Sequence, residues 1–531
     1  MLVQKYGFGF SVGVIGGVLT LKKAGPDPVG ELVKYRKPSR AQPNNKQGDY
    51  DMAKREQSTF ERLNNKDLNR KQRRELQRRI SSDDPGMEIL NPDASGIDIG
   101  NESHFVSVAP GRDPEPVREF GSWTGDLEKM AEWLNLCGVK TVAMQSTGVY
   151  WLAVHEVLTR HGFEVFVVNA RNTKNLPGRK TDVQESQWLR KLHTYGLLRN
   201  SFLPTEEIRM VRTIWRMRDR LVKDGGRYVQ HMQKALTTMN VQLANVISDI
   251  TGASGQAIIR AILKGERNVY ALAELRDCRV KASQEEVARS LEGTWSQDVV
   301  FELRQAVEAY DFVQKQMGEC DEQLRIYMAA LPSRTFPDSV SPAEDAVKAK
   351  PKSKKPKGNQ PGFDLKSELT RVNGVDLTTI EGIDVMTAQT ILSEVGAEMS
   401  RWKDEHHFVS WAGLAPRQDV TGGKVIRSRT KLVSNRVGGA LRLAAISLLR
   451  SESYLGAKFR KLRARRGTPK AIKAMARYLG CLVYRMLTHG QEWVDKGVKA
   501  FEEKNHQREL NELKRKAAEL GLILSPREAT A

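Results

Sequence analysis

Asp98 stands in the middle of a run, GIDIG at 96–100, that otherwise reads as a buried strand. Ile97 and Ile99 flank it, and a second apolar stretch, FVSV at 105–108, follows closely. A carboxylate in such a place is costly unless something positive meets it. A chain that carries it must build a sheet around this acid and bring a counter-charge to it.

The pattern around Asp98 is α/β. ASGIDIG, SHFVSVA, VKTVAMQ and FEVFVVN are short apolar strands bounded by Gly, Pro or Asn. The first two follow one another at once, which predicts a hairpin. The later ones alternate with helical patterns, TGVYWLAVHEVLTRHG and TDVQESQWLRKLHTYG, which predicts parallel strands. Thr181 is placed to cap the second helix and Gly196 to stop it. Residues 87–203 are therefore expected to form a mixed sheet with helices packed on it. The helix opening at Thr181 presents Asp182 and Glu185, three apart and so on one face. One acid on a central strand facing two on a late helix is the oxygen-donor set that Mg²⁺-assisted phosphodiester chemistry needs. The plainer reading of Asp182 is a first-turn charge favoured by the helix dipole.

Charge extends the argument to partners. Among 531 residues, 85 Lys and Arg against 64 Asp and Glu leave a net charge of +21. That excess favours a polyanion, nucleic acid before anionic membrane. The four cysteines are widely spaced, without a C-x-x-C pair, so neither a disulfide framework nor a zinc knuckle is indicated and a reducing cytoplasm is expected. The glycine-rich apolar stretch at 6–21 is short for a membrane span and lacks a cleavage site, so no membrane role is expected.

The rest of the chain divides by composition. Residues 1–86 form a basic N-terminal extension ending in KDLNRKQRRELQRRI, seven of whose fifteen residues are Lys or Arg; it reads as a solvated arm or a nucleic-acid-binding one. Residues 204–332 hold two long amphipathic helices suited to an antiparallel hairpin or a coiled coil between chains, with a compact bundle as the alternative. Residues 333–368 are a Lys- and Pro-rich linker or insertion. A second compact, mostly helical domain covers 369–490, and a charged helical tail covers 491–531. Within that domain, LTTIEGIDVMTAQTILSEVG at 377–396 reads either as a helix-hairpin-helix lacking its second turn glycine or as two packed helices. Beyond it, Gly422 and Gly423 permit a tight turn after Thr421. Lys424, Arg427, Arg429, Lys431, Arg436 and Arg442 supply charge for a phosphate backbone. Arg460, Lys461, Arg463, Arg465 and Arg466 crowd a further helix.

GIDIG, AMQSTGVYW, VVNARNTKNLPGRKTDVQESQWLRKL and FVSWAGLAPRQDVTGGK, in this order, resemble one class of insertion-sequence transposases, those described as bridge-RNA-guided recombinases. The resemblance covers roughly 90–500. It implies an RNase H-like domain of the Holliday-junction-resolvase type with an acidic DEDD tetrad, followed by a domain with a catalytic serine. The tetrad falls on Asp98, Gln145, Asp182 and Glu185, with Gln in place of Glu and Glu in place of Asp at two positions. The serine of an SGGK-like stretch falls on Thr421 of TGGK, and Lys180, just before the helix, joins the basic residues that meet nucleic acid. The resemblance further implies a covalent protein–DNA intermediate, Mg²⁺ at the acids, DNA at the element ends and target, and a structured guide RNA. It also implies a homodimer or homotetramer whose active site is shared between domains of different subunits. A metal-dependent nuclease or resolvase without covalent intermediate, and a nucleic-acid-binding protein with decayed chemistry, remain the alternatives.

Overall fold

The computed structural model describes residues 86–146, 148–169, 181–336, 358–421, 424–430 and 435–490, parts of 507–522, and two short strands near the N-terminus. For 417–425 and 427–434 it describes backbone only, where it describes them. The basic run at 66–80, most of the linker, and Lys180 and Lys431 lie outside the described residues. Strands β1 (Val12–Ile15) and β2 (Val18–Leu21) pair antiparallel within the apolar stretch at 6–21. No helix among the described residues is long and apolar enough to cross a membrane. The chain divides into two compact units between Ser201 and Phe202.

The first unit is built on a five-stranded sheet of order β5-β4-β3-β6-β7. Its strands are β3 (Ala94–Ile99), β4 (Ser103–Ser107), β5 (Val117–Gly121), β6 (Thr141–Gln145) and β7 (Glu164–Val168). β3, β4 and β5 run antiparallel, and β3, β6 and β7 run parallel, as the spacing of the strands predicts. This mixed sheet with its helices is the RNase H-like α/β domain. Helix α1 (Thr124–Leu136) links β5 to β6, and α2 (Trp151–Arg160) links β6 to β7. β5 carries no strong apolar signal: its sequence is VREFG, on the sheet edge and half-buried throughout except for exposed Glu119. Helix α3 (Asp182–Thr194) lies against β3, β4 and β6, and its Leu189 and Leu192 join Ala143, Val168, Leu197 and Leu198 in one core cluster. The Thr181 hydroxyl accepts the Gln184 N–H at 3.3 Å, and Gly196 turns the chain away at φ 62°, so both ends of α3 stop where the sequence predicts.

The second unit opens with α4 (Glu206–Thr238), 33 residues long. Four shorter helices follow: α5 (Leu243–Val246), α6 (Ala253–Leu263), α7 (Val269–Glu274) and α8 (Gln284–Ser290). Then comes α9 (Gln297–Ala330), 34 residues long. α4 and α9 are antiparallel, because Arg218 near the start of one pairs with Asp321 near the end of the other, while Lys234 reaches Glu302 at 3.4 Å. Buried Ile208, Val211, Trp215, Arg218, Gly225 and Met232 recur along α4 at the three-and-four spacing of a coiled-coil seam. Gly225 sits in that seam, where a Cβ would touch Val313 at 3.6 Å, and Gly226 beside it faces open space. The outer end of the pair is closed by its own core, with Ile258, Ile259 and Leu272 packed on Leu236 and Leu303.

The lower end of the pair shares a core with the helices that follow. These are α10 (Leu365–Asn373), α11 (Val385–Val395), α12 (Glu405–Trp411), α13 (Arg436–Ser447), α14 (Tyr454–Arg466) and α15 (Thr468–His489). Val211, Trp215, Leu324 and Met328 pack with Ile391, Phe408, Leu441 and Leu479, so the long helices and the C-terminal helices form one body. Between α12 and α13 stands the hairpin of β8 (Pro416–Thr421) and β9 (Lys424–Thr430). Arg218 is the polar exception in the seam. Its guanidinium, 2% exposed, pairs with Asp321 and donates to the Asn359 carbonyl at 2.8 Å, while the Gly362 N–H donates to Asp321 at 3.1 Å. The ion pair thus clamps the chain entering α10 onto the long helices.

Removing one partner of a buried pair strands the other charge. Arg218→Ala is expected to lower unfolding stability by about 3–5 kcal/mol in urea denaturation, and the joint R218M/D321L change by much less. Equal losses in the two variants would show that the pairing has no special weight.

Candidate active site

The acidic site begins with a glycine. A Cβ on Gly96 would collide with backbone atoms of Ser186 and Arg190, so α3 rests its backbone directly on β3. Glycine inside a strand marks this kind of close approach. Gly96 pairs with Ala143 and Ile97 with Met144 across the parallel β3–β6 ladder, which sets Asp98 level with Gln145 on neighbouring strands. Alternation along the strand turns Asp98 to the same face as Gly96, the face covered by α3.

From above, α3 brings its first turn over that pair. The Gln145 amide, 2% exposed, donates from Nε2 to the Glu185 carboxylate. Asp98 and Asp182 line a shared cavity of about 340 Å³ together with Gly100, Asn101, Glu102 and Ser103. Burial, and then the charges of Glu185 and Asp182, push the Asp98 carboxyl up to about 6. All four positions singled out by the sequence meet at one place. The donors are all oxygen, and three are carboxylates repelling one another, a set that fits a hard divalent cation. The trio is open: among the described residues, the group of three acidic, His or Cys ligand atoms within 4.8 Å of one another is Glu405, His406 and Cys481 instead.

That second group is a poor metal site on its chemistry. Arg485 grips Glu405 with two guanidinium nitrogens, Arg477 lies 3.4 Å from His406 Nδ1, and burial followed by Glu405 pushes the Cys481 thiol up to about 11. Two arginines and a protonated thiol repel a cation. Beside it, the Lys458 amine sits 3.3 Å from the centre of the Tyr478 ring, and burial followed by Arg485 brings its pKa down to about 8.

Thr421 closes β8 and pairs with Lys424, the first residue of β9, so Gly422 and Gly423 form the whole link between the strands. Those two glycines, and the side chains of Thr421, Lys424, Arg427 and Arg429, lie outside the described residues. Arg463, Arg465 and Arg466 are exposed on α14 and make no ion pair among the described residues. Arg436 differs from them: its guanidinium bonds Asp219 at 2.9 Å and faces buried Glu394 at 3.9 Å, an internal engagement that the local sequence does not signal. Glu394 is also held by Arg216 at 2.6 Å and Arg212 at 3.5 Å. In the 377–396 segment, the first element is a single 3₁₀ turn, Leu377–Thr379, rather than a helix. Asp384 caps α11 by accepting the Thr387 N–H at 2.8 Å, and Gly382, at φ 90°, lies against the Ala444 carbonyl. The helix N-terminus is thus occupied by the protein's own carboxylate, which favours packed elements over a phosphate-binding hairpin.

Two changes test the acidic site. Gly96→Ala must displace α3, and is expected to lower stability by about 1–3 kcal/mol in urea denaturation; an unchanged stability would sink the close-packing argument. The second test is pH. An unfolded aspartate titrates near its ordinary 3.8, but the folded Asp98 holds its proton up to about 6. Between these values the folded state binds more protons, so its stability rises as pH falls through 6 and levels off below 4. In EDTA, the melting temperature of wild type is expected to gain on that of Asp98→Asn as pH drops from 7 to 5; parallel curves for the two proteins would refute the shift.

Residues 95–241 match the family model of the IS110-type DEDD domain, described as a transposase. Residues 376–460 match that of the transposase IS116/IS110/IS902 family. No curated protein matches. The first match takes in the sheet, α3 and α4, and the second runs from the 3₁₀ turn through the β8–β9 hairpin into α14. With both matches in order along one chain, the protein belongs with the IS110-type insertion-sequence transposases.

Proposed function

We propose that this transposase cuts and rejoins DNA through the hydroxyl of Thr421, with Mg²⁺ held by Asp98, Gln145, Asp182 and Glu185, at sites chosen by a structured RNA. The observation that carries the reading is the level placement of Asp98 and Gln145 beneath Glu185 and Asp182. Oxygen donors converging from a strand pair and a helix suit metal-assisted phosphodiester chemistry. Mg²⁺ at such a site supplies charge stabilisation to the attacking and leaving oxygens. Gln145 contributes an amide oxygen in place of a carboxylate, which weakens cation affinity while its N–H₂ orients Glu185.

Thr421 supplies the nucleophile. Its oxygen bonds to phosphorus, a deoxyribose oxygen leaves, and the phosphothreonyl ester keeps the bond energy that a later deoxyribose hydroxyl uses to reseal the strand. Thr421 pairs with Lys424 across the β8–β9 ladder, and the Thr methyl restricts the hydroxyl's rotamers. The exposed arginines of α14 bind backbone phosphates, and base pairing by the RNA supplies the sequence choice, as in other RNA-guided systems. The working form is a dimer or tetramer. A metal-dependent nuclease is the second reading, since the acidic site by itself suffices for attack by water.

The deciding measurement is a denaturing gel after incubation with the element's ends, its RNA and Mg²⁺. A DNA-linked protein is expected for wild type and Thr421→Ser and for neither Thr421→Ala nor Asp98→Asn. An adduct in Thr421→Ala would move the nucleophile elsewhere, with Ser428 and Ser434 next in line. Mg²⁺-dependent nicking without any adduct would establish the nuclease reading.

A further inference from the structure

The two long helices differ in charge as well as direction. α4 carries eight Lys and Arg against four Asp and Glu, a net +4, whereas α9 carries three against seven, a net −4. The positive charge of α4 is ordered along it. Beyond Arg216, which is held by buried Glu394, Arg220, Lys223, Arg227, His231 and Lys234 recur every three or four residues, a single stripe about 21 Å long at 1.5 Å per residue. The seam residues Trp215, Arg218, Gly225 and Met232 lie on another side of the helix, so the stripe lies off the seam, and only Lys234 at its end reaches α9, through Glu302. Arg220 makes no ion pair among the described residues, and Lys223, Arg227 and Lys234 are 64–71% exposed. Their carboxylate partners, Asp219 at 2.8 Å, Asp224 at 3.2 Å and Glu302 at 3.4 Å, are surface pairs of the kind that contribute little and yield readily.

We infer that the outer face of α4 is a docking surface for the backbone of a DNA duplex. The inference rests on the DNA-recombinase reading and adds where, outside the reacting phosphate, the substrate is held. Charge complementarity selects the occupant. Duplex DNA presents a phosphate about every 1.7 Å of its axis, so a stripe of about 21 Å lies against a continuous supply of them. The stripe has no exposed apolar anchor of its own on which a protein partner would centre. Backbone contact of this kind positions the duplex without reading its sequence, which suits a protein whose sites are chosen by something else.

The test is salt-dependent binding of a 30-base-pair DNA duplex to the full chain in EDTA, followed by fluorescence anisotropy. Replacing Arg220, Arg227 and Lys234 together by Gln should flatten the slope of log affinity against log salt by about 2.7, and each single change by about 0.9. R220K/R227K, which keeps the charge, should retain the wild-type slope. An unchanged slope in the triple variant, with its melting temperature also unchanged, overturns the inference and leaves the recombinase reading untouched. A slope that flattens for an RNA duplex of the same sequence but not for DNA overturns it in favour of RNA. Failure of the wild-type chain to bind DNA at all would instead remove the reading on which the inference stands.

Discussion

One helix backbone rests on one strand backbone with no side chain between them, and the acidic site depends on that contact. Gly96 is where it happens. Any residue with a Cβ would lift α3 off the sheet, and the two carboxylates of its first turn would rise with it. At its intended height α3 places Glu185 within hydrogen-bonding reach of Gln145 and Asp182 at the rim of the Asp98 cavity. The mid-strand acid is thereby surrounded by charges of its own sign, a state that folding alone does not favour. Sites that hold such strain are those where function has claimed it.

The second unit is organised by a different principle, charge pairing over long sequence distances. Arg218 and Asp321 fix the register of two helices and fasten the chain that follows. Below them, Glu394 gathers Arg212, Arg216 and Arg436, and Asp219 takes Arg436 from the other side. Arg436 is the first residue of α13, after its cap Asn435, so this network fastens the start of that helix to the base of the long helical pair.

Much of this was legible in the chain. Asp98 stood out because an acid between two isoleucines in a strand needs a reason, and the Thr181 cap and Gly196 stop framed the helix that answers it. Gly96 carried a signal as well, a glycine two residues before the acid, but its meaning required knowing which helix would cross there. β5 escaped because VREFG, on an edge, needs only one apolar side and shows no run of them. The 3₁₀ turn at 377–379 escaped for a related reason: apolar spacing cannot distinguish a helix from a single turn followed by a cap. Arg436 read as a phosphate ligand because its neighbours are cationic, and its partners lie 217 and 42 residues away in sequence, beyond any local pattern. Local chemistry was readable, and tertiary pairing was not.

Midway along α4, Gly225 and Gly226 interrupt an otherwise good helix, each less favourable there than alanine by about 1 kcal/mol. Packing requires glycine at neither position: a Cβ at Gly225 would make an ordinary 3.6 Å contact with Val313, and Gly226 has open space beside it. The helix therefore opens most easily at its centre, between an outer end locked by its own core and a lower end locked by the ion pairs. Amide hydrogens around this point exchange through a local opening of lower free energy than those of either end. Arg220 and Arg227 bracket the same two glycines, so a polyanion bridging them would splint that joint, and its binding would be read as slowed exchange at the amides between.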